Sequence, residues 1–229
     1  MTIVGHPLIH LGYAYEMNSK DVAIEALAMT AVQYNFLHKY IDEPAYTKPA
    51  PFTSQSPREI LDRLAEDKRF DGLFAQPGLT NLGQLFAKHE DLALEYWNAW
   101  EITDDPIKQF EQSQEAAVSL LVETISPEHA NYNFFGVHLL TTSHAVRILL
   151  PFIPPQHHAL LLRQWWLLVV AIYVCLLRPK ITPQFVDPAK LDGKDWKYVV
   201  DRALNSKWAT DSHYVKGKYN LFSISASRA

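Results

Sequence analysis

Cysteine is almost missing from this sequence. Cys175 is the only thiol, so no disulfide can close within the chain, and the expected compartment is a reducing one, the cytoplasm. Cys175 lies in the most apolar stretch of the chain, which predicts a buried, inert thiol. A patch of one charge is missing too. The 21 basic and 25 acidic residues are mixed along the chain with a net charge of −4, so a nucleic-acid surface is not expected. A long apolar run is the third absence. Trp165 to Leu177 has 13 apolar residues between Gln164 and Arg178, against the roughly 17–25 that a spanning helix needs. It predicts a core helix, apolar on all sides because it is surrounded, and no membrane partner. Met1-Thr2-Ile3-Val4-Gly5-His6-Pro7 has neither the basic start nor the apolar stretch of a signal peptide.

Familiar chemical signatures are also lacking. The sequence has no GxGxxG or GxxxxGK(S/T) phosphate cradle, no GxSxG elbow, no HExxH, no cysteine cluster for zinc, and no flavin or haem box. If the protein is an oxidoreductase, its oxidising power comes from a bound metal, or from a substrate that itself reacts with oxygen.

What is present is helix signal. Apolar residues make up 48% of the 229 residues, enough for a sizeable core. Six Trp, eleven Tyr and eleven Phe can fill that core or enclose a flat ligand. Pro7 suits a first helical turn, and HPLIHLGYAYEM continues at helical spacing until Asn18-Ser19. Lys20 to Tyr40 keeps the same period without a breaker and predicts one helix. Ser56-Pro57-Arg58-Glu59 places Ser at the N-cap, Pro at N1 and Glu at N3 of a helix running to about Phe70. Leu79 to Trp100 predicts one or two helices jointed near His89-Glu90. Further helices are expected from Asp105-Pro106 to about Ile125, from Ser126-Pro127-Glu128 through Leu150, from Gln156 to Arg178, from Asp192 to Trp208, and after Asp211. No segment alternates like a strand, and nothing divides the chain. The expectation is an all-α multi-helix bundle over residues 1–229, one domain of antiparallel helices with short loops.

Three segments carry candidate chemistry. His6 and His10 in HPLIH are four apart, so on a helix they share a face and can reach one ion. Two packed histidines partnered by Glu16 and Glu25 would give the same pattern. In FFGVHLLTTSHAVRILLPF, His138 and His144 are six apart and point to different faces, so only one can share a site with the first pair. Either can equally be a satisfied core histidine. In DSHYVK, His213 and Lys216 share a face. Burial would depress the lysine pKa, and a neutral amine reacts with carbon dioxide to give a carbamate, an anionic oxygen ligand. An ordinary exposed lysine is the other reading. His38, His89, His129, His157 and His158 stand beside charges, turns or prolines and read as surface residues.

These segments carry a resemblance. GHPLIHLGYAYEM followed by EALAMTAVQYNFL is similar to the central motif of the questin oxidase-like family. FFGVHLLTTSHAVRILLPFI resembles that family's second histidine-bearing helix, and DSHYVK the start of a later one. The resemblance implies a fungal secondary-metabolite enzyme that oxidatively opens the ring of an anthraquinone-type aromatic polyketide. Two chemistries are implied for the family: a Baeyer–Villiger-like reaction, sometimes with NADPH, and a dioxygenase reaction at a His-rich non-haem iron with a carbamylated lysine. Carried over, the metal ligands are His6, His10, His138 and Lys216.

The family's members are longer, with a further helical region before HPLIH, so the sequence reads as a partial copy. Gly217 is expected to interrupt the last helix. From this follow an exposed apolar patch near Leu8, Leu11 and Tyr15, weak iron retention, little ring-opening activity in isolation, and self-association. The other reading, from a different class, is a catalytically inactive helical remnant that binds an aromatic polyketide or a partner chain.

Overall fold

The computed structural model describes residues 5–125, 133–183 and 192–226. About 70% of these are helical, and among them no strand occurs beyond one isolated bridge between Ser54 and Trp100. The helices are α1 (His6–Glu16), α2 (Lys20–Val32), α3 (His38–Asp42), α4 (Pro57–Glu66), α5 (Asn81–Lys88), α6 (Glu90–Asn98), α7 (Pro106–Val122), α8 (Phe134–Leu149), α9 (His158–Cys175), α10 (Trp196–Asn205) and α11 (Ser212–Ala226).

The capping residues set most of the starts. Ser56 Oγ accepts from Glu59 N, Asp105 accepts from Lys108 N, and Asp195 accepts from Tyr198 N. Asn133 caps α8 by accepting from Phe135 N and Gly136 N; Ser126-Pro127-Glu128 and His129 lie outside the described residues. Asp211 Oδ1 accepts from the backbone N–H groups of His213 and Tyr214 and starts α11. Each such bond satisfies an amide that the helix leaves without a partner.

Two expectations about continuity change. Lys20 to Tyr40 is two helices, because Asn35 competes for the backbone: its Oδ1 accepts from Leu37 N and its Nδ2 donates to the Gln33 carbonyl. Gly217 does not interrupt α11, which runs through it to Ala226. The glycine is buried, and a Cβ there would lie 3.9 Å from Val137 on α8, so it sits at a helix contact.

The core gathers around α9, which packs on α3, α5, α6, α7 and α8. Pro155–Cys175 is long and apolar enough to cross a membrane, yet 72% of its 18-residue apolar window is buried inside the protein. Trp165 and Trp166 on this helix are fully buried against Trp100, and Phe110 meets Trp165 edge-on at 5.0 Å. Large side chains buried in this way contribute about 1.5–3 kcal/mol each. Cys175 is buried at the end of the helix, and burial pushes its thiol pKa up to about 12. His158 is also buried, with Nε2 on the Ile153 carbonyl; its place at the start of the apolar helix, not the neighbouring prolines, decides its burial.

At the other end of the core, Asp67 closes the turn after α4. It accepts from Arg69 side chain and backbone and from the Tyr96 hydroxyl at 2.8 Å. These donors hold its carboxyl at about 2, below the usual 3.8. The folded carboxyl therefore binds a proton less readily than the unfolded one. Its stabilisation is present above about pH 4 and disappears as the pH falls through about 2. Urea titrations are expected to show Asp67→Asn about 2 kcal/mol less stable than wild type at pH 7, with the gap closing at pH 2. An unchanged gap would remove the ion pair from the account.

Helices α1, α8 and α11 are not consecutive, and they run in the same direction. Their first turns meet at His6, His138 and His213, and their far ends meet where Glu16 touches His144 and Arg147 touches Ser223. Gly12 allows the approach: a Cβ there would lie 2.6 Å from Ala145 Cα.

Candidate metal centre

His6 opens α1 from Gly5, whose φ of 79° turns the chain into the helix. A Cβ on Gly5 would meet Thr142 Cγ2 at 2.5 Å, so the glycine fixes both the turn and its contact with α8. His138 stands one turn into α8 and is 2% exposed. His213 is the second residue of α11. Their ligand-type ring nitrogens all lie within 4.8 Å of one another.

The hydrogen bonds fix the tautomer of His138. Its Nδ1 lies 2.9 Å from the Phe134 carbonyl, a group that can only accept. Nδ1 therefore carries the proton, and Nε2 presents a lone pair 3.3 Å from His6 Nε2. Carbonyl-bound Nδ1–H with a free Nε2 is the arrangement usual for metal-bound histidine. Two imidazole nitrogens about 2.0–2.2 Å from one ion stand roughly 3.0–3.5 Å apart, and the observed separation fits. His213 Nε2 is buried without a hydrogen-bond partner among the described residues, which is costly unless something fills the site. The Phe134 ring lies tilted against both His138 and His213, with ring centroids 4.6 Å apart in each case, and covers one side.

The electrostatics favour the neutral form of His6 and His138. Desolvation lowers the His138 pKa to about 4, assisted by His6, His213 and Lys216, and it also lowers that of His6. The convergent N-termini of α1, α8 and α11 add positive potential that further disfavours imidazolium. Neutral imidazole is the form that binds a metal.

Of the residues singled out from sequence, His6 and His138 come together and Lys216 lies at their edge, half-buried, its pKa lowered by desolvation. His10 is not in the cluster. Its ring centroid is 6.4 Å from that of His6, and its Nδ1 lies 3.4 Å from Glu25. His213 was expected on the face of Lys216 but not as a ligand, and its Asp211-capped first turn was the available signal. His144 lies away from the cluster between Glu16, at 3.0 Å, and Arg147, while Tyr219 donates to the other Glu16 oxygen.

Compared with protein families, residues 1–221 match the one described as Questin oxidase-like. The chain belongs to the Questin oxidase-like family. No curated protein matches the chain. Family membership supports an oxidoreductase-type function, and the histidine cluster is built from all three family-like segments: HPLIH, FFGVH and DSHYVK.

Proposed function

We propose that this chain is an oxidoreductase that opens a ring of an aromatic polyketide at a non-haem iron held by His6, His138 and His213, in the cytoplasm of a fungal cell. The observation that carries the reading is the cluster of three imidazoles whose ligand-type nitrogens lie within 4.8 Å of one another, with His213 Nε2 buried and without a hydrogen-bond partner among the described residues, in a member of this family. Iron held there supplies the activation of dioxygen.

The chain's own residues do the rest. The Phe134 carbonyl orients His138, and the Phe134 ring shields two of the three imidazoles from solvent. Lys216, with its lowered pKa, has a fraction of neutral amine that can add to carbon dioxide, losing one proton to form a carbamate. That anion would offset the positive helix ends around it.

Oxygen uptake tests the proposal. Protein loaded with ferrous iron is mixed with a reduced anthraquinone, with and without NADPH. Uptake above background is expected for wild type and not for His138→Ala. Equal rates in the two proteins would replace this reading with that of a helical remnant that binds an aromatic polyketide or a partner chain.

A further inference from the structure

A second cavity lies on the opposite side of α1 from the histidines. Pro7, Leu8 and Leu11 form one wall, α2 and α3 the second, and α9 the floor, enclosing about 350 Å³. Ligand pockets fall at about 300–1,000 Å³. Among the described residues no Asp, Glu, Lys or Arg lines the cavity, and His38 is the one histidine that does. An ionised ligand would lose its hydration there without a counter-charge.

Two lining residues carry buried polar atoms without partners. Among the described residues Trp165, fully buried, has no acceptor for its indole N–H, and Gln33 has no donor for Oε1. The other core tryptophans do find acceptors: Trp97 on Arg163, Trp100 on Gln55 and Trp166 on Tyr96. An unmatched donor and an unmatched acceptor on residues that line one cavity are what a bound molecule with an acceptor and a donor of its own would satisfy, once a small side-chain shift brings the two atoms to the cavity surface.

We propose that this cavity is a binding site, separate from the histidine cluster, for an uncharged and largely apolar small molecule bearing one carbonyl-type acceptor and one hydroxyl-type donor. The proposal does not depend on the histidines holding a metal. The mouth is formed by Leu27 and Thr30 on α2, both exposed, so the rim can be altered without disturbing the core.

Nile red, a neutral dye with a carbonyl acceptor, is the probe, and anilinonaphthalene sulfonate its anionic counterpart. The expected result is saturable binding of one Nile red per chain, at least tenfold tighter than the sulfonate. Leu27→Arg should weaken Nile red at least tenfold with unchanged helical content. Trp165→Phe, which keeps a ring but removes the N–H, should also weaken it. Sedimentation is measured alongside. Nile red binding that is unsaturable, or indifferent to Leu27→Arg, overturns the proposal. So does a Leu27→Arg variant that only converts a dimer to a monomer, which would make this face an interface between copies.

Discussion

Replacing His138 by alanine is expected to lower the affinity for ferrous iron by at least about a hundredfold. Loss of a residue that merely orients a metal ligand costs about 10–100-fold, and His138 presents its own lone pair to the cluster, 3.3 Å from His6. The helical content should survive, because the remaining partners of α8 on α1, α7 and α9 are untouched. His138 is nearly fully buried, so its truncation leaves a small cavity. His213→Ala serves as the companion variant, since His213 is half-exposed and its removal opens no void in the core. Both should lose iron, read by anaerobic titration. A folded His138→Ala that binds iron like wild type would remove this residue from the site.

Gly12→Val is expected to be the most damaging single change to the fold. The added Cβ would fall 2.6 Å from both Cα and Cβ of Ala145, and a backbone atom cannot rotate away as a side chain can. Overpacking of this kind costs about 1–3 kcal/mol, and more where backbone must move. Taking about 3 kcal/mol because backbone must move, at about 2–4 °C per kcal/mol for a chain of this size, a fall in Tm of roughly 6–12 °C is expected. The same displacement carries His6 away from His138, so iron affinity should fall with stability. Gly83→Ala is the control: nothing lies within 4 Å of its added Cβ, and a better helix former there should gain about 0.5–1 kcal/mol. Equal melting points for Gly12→Val and wild type would mean that α1 and α8 are not held as described.

The apolar faces of α1 and α2 bear on self-association. Tyr15, Met17, Ile24, Leu27 and Val32 are exposed, while Leu8 and Leu11 are partly buried and line the second cavity. The patch thus lies mainly on α2, which buries only Ala26, and less on α1 than the sequence led us to expect.

How far the sequence reaches depends on the range of the interaction. Ser56 and Asp105 were legible as helix starts because a cap is decided within three residues. The separation of His138 from His144 was legible because six residues on a helix turn a side chain to another face. The break at Asn35 was not, since the apolar period runs across it and only the side-chain bonds of Asn35 decide against the helix. The cluster was half-legible. His6 and His138 were singled out, whereas the choice of His213 over His10 depends on how α11 crosses α1 and α8. That crossing is set by contacts such as those at Gly12 and Gly217, more than 60 residues from their partners in sequence. Such distances leave no local pattern.

The central claim is that His6, His138 and His213 form one metal site. Its most direct test is anaerobic titration of the purified chain with ferrous iron, beside His138→Ala, His213→Ala and His10→Ala, with circular dichroism to establish folding. One equivalent of iron should bind to wild type and to His10→Ala, and neither of the other two variants should retain it. Iron binding that persists in folded His138→Ala and His213→Ala, or that disappears only in His10→Ala, would contradict the claim.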